Sequence, residues 1–287
     1  MEMNYEKRGY LLEDFRLFHL RDSQGTTVDY HYHEFYKLLL LISGSGSYAV
    51  EGRHYQLKPG DAVLLKPHCV HRPEFEVGTP YERVILYIAP GFLQRESAED
   101  CNLEACFDGS KGPILRFSDR RRAKLLLLAE ELEQELSMDR FGRAIAGNSL
   151  LLRLLVEIGR YQQLGDTAWP EPVMPRSGTM EQILRYLEEN LTKEISLDEV
   201  AEACYLSKYH MMRRFRQETG TTVHTYLTER RLFLAKELMA QGMASTEACY
   251  AVGFGTYSSF SRAFQKLFGT TPTGRALQHR NRVEPID

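Results

Sequence analysis

Two sets of side chains in this sequence could do chemistry. The first is His31, His33 and Lys37, joined further on by His71. In an extended chain, residues at even spacing share one face, so His31, His33, Phe35, Lys37, Leu39 and Leu41 point the same way. The apolar end of that face points inward. Imidazoles and an ammonium lining an interior need partners or a ligand, which makes them candidates for holding a small molecule. Three histidines with a water can also hold zinc, so a metal at His31, His33 and His71 is an alternative. A third reading has backbone groups satisfying them in a packed barrel. The second set is Lys208, Tyr209, Met212, Arg213 and Arg216, followed by Tyr257, Ser258, Ser261, Arg262 and Lys266. At three- and four-residue steps these form the outer faces of two helices, with Met211 and Phe215 left for the core of the first. Arginine pairs bidentately with guanine, and tyrosine and methionine touch thymine methyls. That face suits a DNA groove.

The elements that position the second set occur twice. ISLDEVAEACYLSKYHMMRRFRQETG and STEACYAVGFGTYSSFSRAFQKLFG place Met211, Arg213, Phe215 and Gly220 opposite Phe260, Arg262, Phe264 and Gly269, each pair 49 residues apart. Each copy reads as a short helix, a tight turn and a second helix with a polar, partly basic face, which is helix-turn-helix composition in tandem. Ser196-Leu197-Asp198-Glu199 is a capping box, and Ser207 is placed to cap the helix Lys208–Thr219. A long connecting helix is expected over Thr222–Gln241, with Tyr226, Leu227, Leu234, Leu238 and Met239 inward. The second unit runs Ser245–Val252, a Gly253-Phe254-Gly255 turn, and a helix from about Thr256 to Phe268.

The first set sits in a different kind of chain. Residues 1–27 look like an arm or opening strands anchored by Phe15, Leu17 and Phe18. From Val28, VDYHYHEFYKLLLLIS reads as a long strand closed by Gly44-Ser45-Gly46. Short strands follow between turn signals at Glu51-Gly52, Lys58-Pro59-Gly60-Asp61, Lys66-Pro67 and Val77-Gly78, the spacing of a β-sandwich or barrel. From Asp119 the period becomes helical, with Leu125, Leu128, Leu132 and Leu136 on one stripe and a second leucine-rich helix around Leu150–Ile158. Such a hairpin either covers the barrel or pairs with a second copy of the chain. GDTAWPEPVMPRSG, with three prolines, is the natural linker. The expected layout is a barrel over 1–118, a hairpin serving dimerisation over 119–164, a linker over 165–178 and a DNA-binding domain over 179–287.

Bulk properties bound these readings. The 287 residues, 43% hydrophobic and 26% charged, suit two soluble domains. No apolar run approaches the roughly 20 residues of a membrane span, and the N-terminus lacks a secretory layout, so a cytoplasmic protein is expected. The five scattered cysteines show no metal-binding or disulfide spacing. Net charge is −3, yet residues 178–287 carry 14 Lys/Arg against 13 Asp/Glu, and Lys208 to Gln217 holds four cations and no acid. A neutral domain can still present positive charge on one face to phosphates. No nucleophile–base pair, phosphate loop or carboxylate pair stands out, and no cofactor is expected.

Two resemblances connect these observations. Gly25-x5-His31-x-His33-x3-Lys37-x6-Gly44 resembles the first cupin motif, and Gly60 through Pro67 to His71 resembles the second. In metal-binding cupins those histidines and a glutamate hold the ion; here Lys37 stands in place of the carboxylate. AVGFGTYSSFSRAFQKLFGTTP resembles the signature of arabinose-operon-type (AraC/XylS) transcription regulators, and the first unit and Tyr226, Arg231, Ala235 and Leu238 match as well. The resemblance implies an α+β chain: a cupin-like effector-binding β-barrel with a helical hairpin, then an all-α tandem helix-turn-helix domain. It implies a non-enzymatic, sequence-specific regulator, working as a homodimer on double-stranded DNA with RNA polymerase as a further partner. The two units would enter successive major grooves about 34 Å apart. Base contacts fall on Lys208, Tyr209, Met212, Arg213, Tyr257, Ser258 and Arg262. Tyr205 departs from the pattern, standing at a turn position where glycine is usual, and implies a strained turn. Two rival readings remain: a metal-dependent cupin enzyme fused to a DNA-binding tail, and a barrel that only dimerises.

Overall fold

The computed structural model describes residues 11, 13–22, 30–51, 53–75, 78, 80–109, 111–165, 167–173, 178–240, 242–268 and 270–273. Gly25, Gly52, Gly269 and the N-terminal arm before Leu11 lie outside them. The chain divides into two compact units, one mainly Tyr32–Pro175 with the strand before it, the other mainly Arg176–Asn281.

Among the described residues the first unit holds eight strands: β1 (Phe15–Asp22), β2 (Tyr36–Ser43), β3 (Gly46–Val50), β4 (Arg53–Leu57), β5 (Asp61–Leu65), β6 (His71–Phe75), β7 (Tyr81–Ile88) and β8 (Ile114–Arg116). They form a five-stranded sheet in the order β1-β7-β2-β5-β8 and a three-stranded sheet in the order β4-β3-β6, with antiparallel pairing throughout. Between β7 and β8 lie α1 (Pro90–Glu96) and a 3-10 turn at Leu103–Phe107, which the strand-and-turn reading did not anticipate. A bidentate Arg116–Asp61 ion pair (2.7 and 2.6 Å) ties β8 to the buried end of β5.

Beyond Lys37, the run Leu38-Leu39-Leu40-Leu41 is apolar on both sides, which suits β2 because both of its faces are covered. Leu38 and Leu40 join a core shared with α2 (Asp119–Ser137) and α3 (Arg143–Gln163), through Leu125, Ala129, Leu132, Leu151, Leu154, Leu155 and Ile158. Leu39 and Leu41 join a second core with Phe35, Tyr48, Tyr55, Val63, Ile85 and Tyr87, which is the barrel interior. On β1, Phe15 and Leu17 pack on the first core and Phe18 on the second. The helical hairpin therefore covers the sheet's outer face. The expected start of the long strand at Val28 lies outside the described residues, and from residue 30 onward the strand is not continuous. A bend at Glu34–Phe35 interrupts the chain, and pairing begins at Tyr36, opposite Ile88. His31 and His33 precede β2, yet keep the inward parity.

The hairpin is also tied to the barrel by charge. His19 on β1 places Nδ1 2.8 Å from Glu133 on α2 and Nε2 3.0 Å from Glu82 on β7, while Arg21 lies 3.8 Å from Glu82. Two carboxylate acceptors require both ring nitrogens to donate, so this geometry belongs to the imidazolium. Burial works to lower the His19 pKa, but the hydrogen bonds and charges of Glu133 and then Glu82 outweigh it, and the net direction is upward. A raised folded-state pKa stabilises fully below the ordinary histidine value of about 6.5, and that contribution is lost as pH rises through the folded value. His19→Gln should therefore lower the melting temperature at about pH 5.5–6 and change it little at about pH 8.5. An equal loss at both would show that the imidazolium does not bridge.

Among the described residues the named elements of the second unit are helices: α4 (Gly178–Glu189), α5 (Leu197–Ala203), α6 (Lys208–Thr219), α7 (Val223–Ala240), α8 (Ser245–Ala251) and α9 (Tyr257–Phe268). The inward set expected for α7 holds at Tyr226 and Leu227 but not beyond. Leu232, Phe233 and Ala235 are the buried residues, while Leu234, Leu238 and Met239 are half-buried. The reason is that α7 packs against α6 on one side and α8 and α9 on others, so no single stripe describes it.

Candidate functional site: two helical faces and a barrel interior

The Ser196 capping box starts α5, with Ser196 N–H donating to Glu199 at 2.6 Å and Glu199 N–H to Ser196 Oγ at 3.2 Å. Ser207 Oγ accepts from His210 N–H and starts α6. Met211, Phe215 and Thr219 are buried along this helix, with Phe215 edge-on to Tyr226. Lys208, Tyr209, Met212, Arg213 and Arg216 are exposed. Lys208 reaches back to Asp198 (2.8 Å), and Arg214 pairs with Glu218 (2.9 Å). In α9, Phe260, Phe264 and Phe268 are buried, while Ser258, Arg262 and Lys266 are exposed. Tyr257 is half-buried, its hydroxyl 3.1 Å from Ser245 Oγ. Arg262 Nε donates to the Ser258 carbonyl at 3.3 Å, within its own exposed face. Both helices thus anchor on aromatic residues and turn an arginine outward.

The caps fix the register between copies. Thr256 Oγ1 accepts from Ser259 N–H as Ser207 does from His210, so the second helices correspond at an offset of 49. Across the turn the offset is 48, with Leu206 N–H bonding Ala201 O and Phe254 N–H bonding Cys249 O. The second turn is one residue longer. Arg213 matches Arg262, whereas Met212 matches Ser261 and Arg216 matches Gln265.

At offset 48, Tyr205 corresponds to Gly253, and both have positive φ (+55° and +84°). A Cβ on Gly253 would lie 2.6 Å from the Thr192 carbonyl oxygen, so only glycine fits. Tyr205 is 93% exposed, which leaves room for a side chain at the cost of left-handed backbone strain. Tyr205→Gly should raise the stability of the helical unit by about 0.5–1 kcal/mol, read as a higher midpoint in thermal unfolding. A lowered midpoint would mean that the tyrosine ring makes a compensating interaction.

The barrel interior holds His33, Lys37 and His71, whereas His31 groups with the helical unit. His31, His33 and His71 are buried, and one ligand atom from each lies within 4.8 Å of the others. Lys37 is fully buried and donates to Tyr48 Oη at 2.9 Å. His71 Nδ1 lies 2.9 Å from the Cys69 carbonyl; an acceptor there places its proton on Nδ1. The His71 ring stacks on Tyr48 (centroids 5.8 Å, 7°), and His33 packs against Phe35, His71 and Tyr87. Tyr48, Tyr87 and Arg83 were missed by the sequence reading. Their signal was strand parity: Arg83, Ile85 and Tyr87 alternate inward on β7 and face Leu41, Leu39 and Lys37 on β2. The histidines supply three nitrogens suited to zinc. Among the described residues no carboxylate joins the group, and the buried Arg83 is paired with Asp22 at 2.8 Å.

The AraC-like ligand binding domain family matches residues 15–155, and a helix-turn-helix domain family matches 200–275. The chain belongs to the AraC/XylS-type family of transcription regulators. Curated relatives of this AraC-type regulator include the uncharacterized HTH-type transcriptional regulator YbfI of Bacillus subtilis, 26% identical over 228 residues and 79% of each chain. The probable transcriptional regulator LumQ of Photobacterium leiognathi is 28% identical, covering 85% of this chain and 90% of its own. The HTH-type transcriptional activator RhaS of Enterobacter is 26% identical, covering 84% and 85%. Among solved structures, an apo form of ToxT from Vibrio cholerae aligns over 93% of this chain and 97% of its own, with 14% identity and a TM-score of 0.38. The regulator is a DNA-binding transcription factor with a ligand-binding domain, and these relatives are transcriptional regulators. Among the described residues no helix is long and apolar enough to cross a membrane.

Proposed function

We propose that this regulator reads double-stranded DNA with the exposed faces of α6 and α9. Tyr209, Met212 and Arg213 on the first, and Tyr257, Ser258 and Arg262 on the second, meet base edges; Lys208, Arg216 and Lys266 meet phosphates or neighbouring bases. The observation that carries this reading is the matched pair Arg213 and Arg262, both exposed and both opposite buried phenylalanines. The barrel interior, with His33, Lys37 and His71, takes a small-molecule effector. The effector biases how the DNA-binding unit is presented, and so activates or represses where RNA polymerase binds. Two copies associate through the hairpin: Leu127 is exposed, and Leu127, Leu128, Leu150, Leu152 and Val156 line a groove between α2 and α3, flanked by Lys124, Glu131 and Arg153. The protein works in the cytoplasm, where its DNA lies.

The test combines footprinting upstream of neighbouring genes with thermal-shift screening against sugars and small acids. A ligand that binds only the folded chain must raise its melting temperature. A footprint with no ligand-induced shift would reduce the barrel to a dimerisation module. Stoichiometric metal in the purified protein would instead favour the cupin-enzyme alternative.

A further inference from the structure

We infer that Asp198 sets the strength of DNA binding by holding Lys208 away from the phosphates, so that the first helix-turn-helix unit binds every sequence more weakly than its cations allow. The inference rests on the reading of α6 as a DNA-facing helix and adds a residue to it. Asp198 stands in the first turn of α5, two residues after the Ser196 cap, and Lys208 is the first residue of α6. Lys208 Nζ donates to Asp198 Oδ2 at 2.8 Å, and both side chains are open to solvent, Lys208 at 47% and Asp198 at 72%. The pair joins the starts of the two helices.

The second unit makes a similar join without charge. Ser245, at the start of α8, places Oγ 3.1 Å from the hydroxyl of Tyr257, at the start of α9. Tyr257 takes the place of Lys208 at the offset of 49 that the caps fix. Each unit thus braces its helix starts with one side-chain bond, ionic in the first and neutral in the second. Bracing by itself needs no charge, so the carboxylate of Asp198 has a further consequence.

That consequence is electrostatic. Binding without sequence preference comes almost wholly from Lys and Arg neutralising phosphates and releasing their counterions. In a helix-turn-helix the first helix crosses the backbone and the start of the second enters the groove, which brings Asp198 and Lys208 to the phosphates. Of the four cations on α6, Lys208 is engaged by Asp198, and Arg214 by Glu218 at 2.9 Å. Half of the positive charge of this helix is therefore already met by the chain's own acids. Asp198 both repels the phosphates and occupies the ammonium that would meet them. A weaker uniform attraction keeps the regulator from being held on the large excess of non-specific duplex around any one site. Exposed ion pairs contribute little to stability, so Asp198 can be neutralised without unfolding the unit.

The full chain is titrated by fluorescence anisotropy against a labelled duplex carrying the footprinted site and a scrambled duplex of the same length, at about 50 to 200 mM salt. Asp198→Asn should tighten both duplexes alike, about three- to tenfold at the lowest salt. It should also steepen the slope of log affinity against log salt by about one, the mark of one more phosphate contact. Adding Lys208→Gln should abolish the gain and the extra slope. Ser245→Ala breaks the neutral link of the second unit and should leave the slope where it is. Melting temperatures of the same samples check that each variant is folded. Unchanged or weakened binding by Asp198→Asn overturns the inference, and weakened binding would make Asp198 a support for Lys208 instead. A slope steepened equally by Ser245→Ala also overturns it, because loosened helix starts rather than charge would be the cause. Arg213→Ala keeps the two readings apart. If it weakens specific binding while Asp198→Asn changes nothing, α6 still reads DNA and only this inference falls; if neither changes binding, the DNA-facing assignment of α6 falls with it.

Discussion

Arg213→Ala is expected to weaken binding to the specific DNA site by about 1–3 kcal/mol, roughly 5- to 150-fold, and to relax base preference at one position. The size follows from what an exposed arginine does at a base edge. Its two parallel donors match the O6 and N7 acceptors of guanine, and no other side chain presents that fork. Removing it costs little in the fold, because Met211 and Phe215 carry the packing of α6 and Arg213 faces away from them. The melting temperature should therefore stay where it is while affinity falls. Lys266→Ala offers the contrast: without its ammonium against a phosphate, binding weakens on all sequences alike and the salt slope falls by about one. Electrophoretic mobility shift against the footprinted site and a scrambled one separates the two patterns. Specific binding undiminished by Arg213→Ala would remove α6 from the DNA-reading surface.

Arg231→Ala should unfold or loosen the helical unit, with a loss of about 3 kcal/mol in stability. Arg231 projects from α7 and donates to three backbone carbonyls: Leu191 (2.7 Å), Gly253 (3.0 Å) and Lys193. The first and third belong to the connection between α4 and α5, and the second to the turn between α8 and α9. One guanidinium thus joins the connection leading into α5 to the turn between α8 and α9. Bonds from a charged donor contribute about 1.5–3 kcal/mol each, although three on one side chain do not add fully. Lysine cannot replace it, since a single ammonium cannot span three acceptors. Chemical denaturation of the full chain measures the loss. DNA affinity in the same variant should fall further than stability alone explains, because the spacing of the two helices depends on this bridge.

Much of this was legible in the chain itself. The tandem repeat, its caps and its aromatic anchors are local patterns, and local patterns survive folding: Ser196 and Ser207 cap where expected, and α6, α8 and α9 begin and end within a residue or two of the expected limits. The inward parity of His33, Lys37, Leu39 and Leu41 was also readable, because alternation along an extended chain needs no tertiary information. The family follows from these motifs. What the sequence could not decide were quantities set by residues distant along the chain. Whether β2 is covered on one face or both depends on where the α2–α3 hairpin lands, some eighty residues later. α7 has no single apolar stripe, because three different helices press on it from different sides. Tyr205 and Gly253 look like the same turn position, and only the Thr192 carbonyl behind the second explains why one tolerates a side chain. The surroundings of Lys37 were likewise undecided, since its neighbours lie elsewhere along the chain. Tyr48 and Arg83 come from other strands, and it is their approach on folding that turns a lysine in the sequence into a buried amine beside a phenol.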